Sequence, residues 1–278
     1  MPDTARHAPT LSRRHSAGAE SARGLLFTVL GEFVLPHGGA VWTSTVIDVL
    51  ARFGVEEKAA RQALTRTAAD GWLEPERVGR RTRWRLTDAA SRLLTEGTGR
   101  IFGFRADPGS WDGRWLLVTV RVPETERPAR HRLRTRLAWA GLGSPSPGIW
   151  LSPHPDRLDE VRKVLDDAGV LADAQLFVGE HVGGGELAGL VRQAWDLAGL
   201  RAGYEQFLGQ FAGAEVADPL AAVVDLVHSW RRFPWTDPLL PSELLPSPWS
   251  GAAAAQLFAE RHERWTGSAR RHWDELDR

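Results

Sequence analysis

The stretch that decides the fold is KAARQALTRTAADGWLEPERVGRRTRWRLT, residues 58–87. Its first half has helical spacing. Ala60, Leu64 and Thr67 make a narrow inner face of small residues, and Gly71 stops the helix. Lys58, Arg61, Gln62 and Thr65 fall at i, i+3, i+4 and i+7, so they share one outer face with no acid and no apolar side chain. The second half alternates. Trp72 to Arg77 and Arg81 to Leu86 read as two strands joined by Val78, Gly79 and Arg80. In the second strand Thr82, Trp84 and Leu86 point one way, and Arg81, Arg83 and Arg85 the other.

Upstream, ARGLLFTVLGEFV (22–34) places Leu26, Val29, Leu30 and Phe33 on one helical face. LPHGGAVW breaks that helix with Pro36, Gly38 and Gly39. TSTVIDVLARFG (43–54) predicts a second helix, capped by Thr43 or Ser44, with Val46, Ile47, Leu50 and Phe53 inward and Gly54 as its C-terminal stop. Glu56 and Glu57 suit the first turn of the third helix, at the positive end of its dipole. Downstream, Thr87 predicts a cap for a fourth helix, DAASRLLTEG. Three helices, a β-hairpin and a helix make a winged helix-turn-helix over residues 21–98.

In that fold the third helix enters the major groove. Arg61 offers a fork for guanine O6/N7 and Gln62 a pair for adenine N6/N7, each worth about 1–3 kcal/mol of discrimination. Ser44, Lys58, Thr65 and Arg66 flank them. Arg80, Arg81 and Arg83 are placed to neutralise backbone phosphates, Arg80 and Arg81 foremost. Arg77 and Arg85 are placed to pair with Glu74 or Glu76. The expected partner is double-stranded DNA. The competing reading is a winged helix that binds protein and serves assembly.

Composition sets limits on these readings. The 278 residues carry 35 basic and 35 acidic side chains, so any nucleic-acid surface is local. Lys58 and Lys163 are the two lysines, and every other long cation is Arg. That bias makes any single arginine weak evidence, and position must carry the argument. The absence of cysteine excludes disulfides, thiolate nucleophiles and cysteine-ligated zinc. The nine histidines show no metal-binding spacing, so no metal and no bound cofactor are expected. No apolar run reaches the ~18 residues of a membrane span. Residues 1–20 read as a disordered polar tail without a secretory signal, and the chain as a cytoplasmic protein.

Residues 110–183 follow the order strand, helix, hairpin, helix, strand, which is ferredoxin-like. WDGRWLLVTVRV (111–122) is the first strand. Pro128 opens a helix with Ala129, Leu133, Leu137 and Ala140 inward. SPSPG makes a tight turn, PDRLDEVRKVLDDAG a second helix and ADAQLFVGEHV the closing strand. A metal-dependent nuclease on this domain would need an acid just after the first strand. The chain has Pro123 and Glu124 there, and Asp112 before the strand instead, so no enzyme is expected. Residues 186–278 read as an α-helical domain, with Leu200, Tyr204, Phe207, Leu208 and Phe211 in one stripe and a proline-rich connector at 233–251.

The chain resembles the PaaX family of bacterial transcriptional regulators. The resemblance lies in RGLLFTVLGEFVLPHGGAVWTSTVIDVL (23–50), the stretch 58–87, WDGRWLLVTV (111–120), GSPSPGIWLSP (143–153) and RRFPWTDPLLPSELLPSPWSG (231–251). It implies a cytoplasmic homodimeric repressor on a partly palindromic operator, controlling an aromatic-acid catabolic operon of the phenylacetate type. It also implies release by an aryl-acyl-CoA such as phenylacetyl-CoA. Lys58, Arg61, Gln62, Thr65 and Arg66, with the wing arginines, match the DNA-binding segment. A CoA ester needs cations for its phosphates and an apolar slot for its acyl group. Arg231 and Arg232 beside Trp235, or Arg114 beside Trp111, offer that combination.

Overall fold

A computed structural model describes residues 22–106, 110–122 and 126–278. The tail assigned to 1–20, and Pro123 and Glu124, lie outside the described residues. The fold is mixed α and β, and the chain divides into two compact units. Among the described residues, one comprises those within 22–105, 207–234 and 255–278, the other those within 106–206 and 235–254. The stretch 186–278, read from sequence as one helical domain, is thus shared between them.

The first unit opens with α1 (Ala22–Val29), which widens into a π turn over Leu30–Val34. Leu26, Val29, Leu30 and Phe33 are fully buried, as their spacing requires. Glu32 is also buried, 5% exposed, and accepts a hydrogen bond from His262 Nε2 at 2.9 Å. A buried carboxylate without such a partner would be strongly destabilising. Strand β1 (Ala40–Trp42) follows, then α2 (Thr43–Ala51) and α3 (Glu57–Ala69). Ala60, Ala63, Leu64 and Thr67 form the buried face of α3, so the small-residue face is where the sequence put it. Gly54, with φ +71°, ends the α2 segment in the left-handed conformation that glycine adopts without strain.

Strands β2 (Leu73–Val78) and β3 (Arg81–Leu86) form the hairpin, and β1 adds to its far side in the order β1-β3-β2, all antiparallel. β1 falls within the segment read as a helix breaker. Its three residues extend because β3 supplies their ladder partners, Val41 opposite Trp84 and Trp42 opposite Arg83. Thr87 caps α4 (Asp88–Gly103) as expected, accepting from Ala90 N at 3.1 Å while donating to Gly71 O at 2.8 Å. The cap expected at α2 is corrected. Its N-cap is Trp42, without a side-chain cap, because the Thr43 hydroxyl is turned to the hairpin. It donates to Thr82 O at 3.0 Å and accepts from Trp84 Nε1 at 2.9 Å.

Residues 207–234 and 255–278 complete this unit. Helix α9 (Pro219–Trp230), after α7 (Leu187–Ala194) and α8 (Leu197–Phe211), is capped by Asp218. It meets α1 through a 2.9 Å hydrogen bond between Thr28 Oγ1 and His228 Nδ1. The long α10 (Gly251–Leu276) brings Trp273 onto Phe33, stacked at 5.1 Å. Such ring pairs add about 0.5–1.5 kcal/mol beyond the area they bury.

The second unit carries a four-stranded antiparallel sheet of β4 (Arg114–Val120), β5 (Gly143–Ser146), β6 (Ile149–Ser152) and β7 (Ala174–Glu180), in the order β5-β6-β4-β7. Helices α5 (Arg127–Trp139) and α6 (Leu158–Asp167) cover one face. Leu133, Leu137, Val161, Val164 and Leu165 pack there on Leu116, Val118 and Val120. This is the ferredoxin-like order. The other face holds Trp115, Leu151, Val191, Leu197, Leu240 and Leu244. Gly143 lies under Trp195, and a Cβ there would come within 2.4 Å of the ring.

Candidate nucleic-acid interface

The outer face of α3 is built as its spacing predicts. Lys58, Arg61, Gln62, Thr65 and Arg66 are all exposed and, with Glu57, line one open surface depression. Glu57 is the residue that sequence spacing left out of this face. It holds Arg61 by a two-pronged contact, Nε to Oε1 at 2.8 Å and Nη2 to Oε1 at 2.7 Å. The i, i+4 spacing with the acid first is the favourable orientation for such a pair. The Thr65 hydroxyl donates back to Arg61 O at 3.0 Å. Ser44 is exposed in the first turn of α2.

The hairpin differentiates its arginines. Arg80 is exposed at the turn beside Gly79, whose φ of +62° sets the chain reversal. Arg81 and Arg83 share a face with Trp42. The Arg81 guanidinium lies 3.9 Å from the Trp42 ring centroid and that of Arg83 5.5 Å. Cross-strand register explains this, since Trp42 stands opposite Arg83 with Arg81 two residues along. Arg81 also reaches Arg278 O through two long contacts of 3.4 Å. Arg85 pairs with Glu76 at 3.1 Å, as the strand pattern suggested.

Trp42 was not singled out from the sequence. It is anchored at its own backbone, where Trp42 N donates to Asp277 Oδ1 at 3.1 Å. Thr45 Oγ1 donates to Leu276 O at 3.2 Å. The last turn of α10 therefore holds the β1–α2 corner. The one sequence clue was an apolar Ala-Val-Trp run directly after a glycine pair.

The residues considered for a CoA ester fall in separate settings. Arg114 Nε is bound by Asp112 Oδ2 at 2.8 Å, and the Trp111 indole donates to Arg114 O at 3.0 Å. Trp111 meets Trp115 edge-on at 5.2 Å. That group is an engaged surface corner. The same pairing commits Asp112, the acid considered for metal chemistry, and holds its pKa below the usual carboxylate range, chiefly through the Arg114 backbone N–H. No cluster of three metal-ligating side chains occurs among the described residues. Arg231 is buried, at 6% exposure, while Arg232 is half-buried with its guanidinium 4.9 Å from the Phe233 ring. Trp235 belongs to the second unit, where it packs on Trp139 at 5.9 Å. The sequence neighbours Arg231 and Trp235 thus belong to different units.

Comparison with known proteins divides the chain into three consecutive segments. Residues 21–90 match the PaaX-like protein family, 108–191 the PaaX protein central Cas2-like domain, and 195–275 the PaaX-like protein C-terminal domain. The chain is 31% identical to the transcriptional repressor PaaX of Escherichia coli strain K12 over 267 residues, covering 90% of this chain and 83% of the repressor. That relative is a repressor and not an enzyme. Among solved structures, an uncharacterized protein of Mycobacterium tuberculosis, Rv0674, superposes with a TM-score of 0.62 at 26% identity, covering 91% of this chain and 99% of that one. By this identity over nearly its whole length, the chain belongs to the PaaX family of transcriptional repressors.

Proposed function

We propose that this protein is a cytoplasmic, sequence-specific repressor that grips double-stranded operator DNA with α3 and the hairpin. The observation that carries the reading is the outer face of α3. Lys58, Arg61, Gln62, Thr65 and Arg66 are exposed together on the helix whose opposite face is buried. Arg61 and Gln62 carry the donors and acceptors that read base edges. Arg80, Arg81 and Arg83 hold phosphates and set register without reading sequence. A homodimer places two such helices on half-sites about one helical turn apart. Repression is relieved by an aryl-acyl-CoA of the phenylacetyl-CoA type, in an aromatic-acid catabolic operon. The effector acts by binding more tightly to a dimer geometry in which the two helices no longer match the half-sites.

The test is a mobility shift on the DNA upstream of the protein's own gene, titrated with acyl-CoAs and with the matching free acids. Retention that one CoA ester abolishes supports the reading. Absence of salt-sensitive, sequence-selective retention contradicts it and favours a protein-binding winged helix.

A further inference from the structure

Helix α5 covers one face of the four-stranded sheet, with Leu133 and Leu137 buried beneath it. Its outer side is cationic. Arg127, Arg130, His131 and Arg134 fall at i, i+3, i+4 and i+7 and share one exposed face, with Arg132 exposed on its flank. No acid occurs between Arg127 and Trp139. Arg136 is the inward exception and pairs with Asp167 of α6. Among the described residues, no carboxylate pairs with Arg127, Arg130, Arg132 or Arg134.

Such a face weakens the helix that carries it. Like charges three and four residues apart repel. Arg127 and Arg130 also stand in the opening turn, at the positive end of the helix dipole, where cations are disfavoured. The N-cap, Glu126, makes no side-chain cap bond. Helix α6, on the same side of the sheet, has the ordinary mixed surface, with Asp159, Glu160 and Asp166 exposed among Arg162 and Lys163. An arginine-rich composition explains arginines on α5. It does not explain why acids are missing from the helix.

The face fits a regular polyanion. From Arg127 to Arg134 the helix rises about 10 Å, at ~1.5 Å per residue. Duplex DNA presents one phosphate charge per ~1.7 Å of its axis, so about six phosphates lie within that reach. The arginine fork matches phosphate oxygens. A protein partner would instead call for an apolar or aromatic anchor at the centre of the contact. Here the centre is His131, with arginines on either side.

We propose that the outer face of α5 is a further phosphate-contacting surface, which holds the backbone of double-stranded DNA. It belongs to a different unit from α3 and the hairpin. The inference rests on the DNA-binding reading of the chain and adds to it a contact without sequence preference.

The experiment uses the full chain as wild type, as the triple variant Arg127→Gln, Arg130→Gln, Arg134→Gln, and as the corresponding triple Lys variant. Fluorescence anisotropy follows binding to the DNA upstream of the protein's own gene and to unrelated duplex of equal length, over a range of salt. The Gln variant should bind both DNAs at least tenfold more weakly at low salt. Its slope of log affinity against log salt should fall by about two to three units, since each lost phosphate contact removes ~0.9. The ratio of upstream to unrelated binding should stay as in wild type. The Lys variant keeps the charge and should keep the slope. The Gln variant should melt no lower than wild type, because it relieves like-charge repulsion. If it fails to fold, single Arg127→Gln and Arg134→Gln variants carry the comparison, each lowering the slope by about one unit.

Unchanged slope and affinity in the Gln variant, with wild type retaining its upstream DNA, overturn the inference and leave the repressor reading standing. A Gln variant altered only in self-association, measured by sedimentation, also overturns it and assigns the face to a second copy of the chain. Binding of both DNAs without preference, lost in the Gln variant, would leave the α5 surface standing and defeat the sequence-specific reading instead. A wild type that binds neither DNA overturns both.

Discussion

Trp42 lies under two arginines of the hairpin, 3.9 Å from the Arg81 guanidinium and 5.5 Å from that of Arg83. An indole face attracts a guanidinium by about 0.5–1 kcal/mol at an exposed site, which is enough to restrict where the long side chain points. The two arginines are thereby held together on one face of β3. Trp42→Ala should reduce operator affinity several-fold and lower the slope of log affinity against log salt by up to about one unit. Trp42→Phe should retain most of both. Fluorescence-anisotropy titrations at several salt concentrations measure the two quantities. An unchanged slope in Trp42→Ala would mean that the ring is packing only.

The Glu57–Arg61 pair makes a different prediction. It is exposed on both sides, so its worth to the fold is about 0.3–0.5 kcal/mol. On the proposed DNA face its influence would be larger, because Glu57 would repel phosphates and compete for the Arg61 fork. Glu57→Gln should leave the melting temperature nearly unchanged and raise affinity for random DNA. The ratio of operator to random binding should fall. Competition gel shifts with unrelated duplex report that ratio.

Thr87 joins two elements with one hydroxyl, capping α4 at Ala90 N and reaching Gly71 O just beyond α3. Thr87→Ala should cost about 1–2 kcal/mol, the usual loss for a cap. Thr87→Ser should recover most of it. Urea denaturation with unchanged slope would verify that the change lies in the folded state.

His228 predicts an acid dependence. Burial and the Arg231 charge hold its folded pKa at about 4, below the ordinary histidine value of 6.5. Above pH 6.5 the ring is neutral whether the chain is folded or not, and the burial is tolerated in full. As pH falls from 6.5 towards 4, the unfolded chain takes up a proton that the folded chain does not, so stability declines across that window. His228→Gln should flatten this part of the melting-temperature profile. Equal profiles for the two proteins would contradict the assignment.

Much of the first unit was legible because local periodicity decides it. The inner face of Ala60, Leu64 and Thr67, the alternation of Thr82, Trp84 and Leu86, and the Thr87 cap all follow from neighbours in the chain. β1 was not legible, since three residues extend only when β3, forty residues on, pairs with them. Nor was the hold of Asp277 on Trp42 N, which joins positions 235 residues apart. The helical C-terminal stretch showed its apolar stripes in sequence. Which unit each stripe would pack into depends on tertiary partners such as Phe33 and Trp273. Arg231 is the clearest case. Its sequence suggests a cation beside Trp235, whereas the structure shows a buried charge without a counter-ion among the described residues.

The central claim is that α3 reads sequence while the hairpin holds the backbone. The most direct measurement is operator affinity for wild type, Gln62→Ala and Arg81→Ala, against the operator and single-base variants over a range of salt. Gln62→Ala should lose discrimination at one base position, by about 1–3 kcal/mol, with the salt slope unchanged. Arg81→Ala should weaken all sequences alike and reduce the slope by about one unit. A Gln62→Ala protein with intact base preference, alongside an Arg81→Ala protein with intact slope and affinity, would contradict the account.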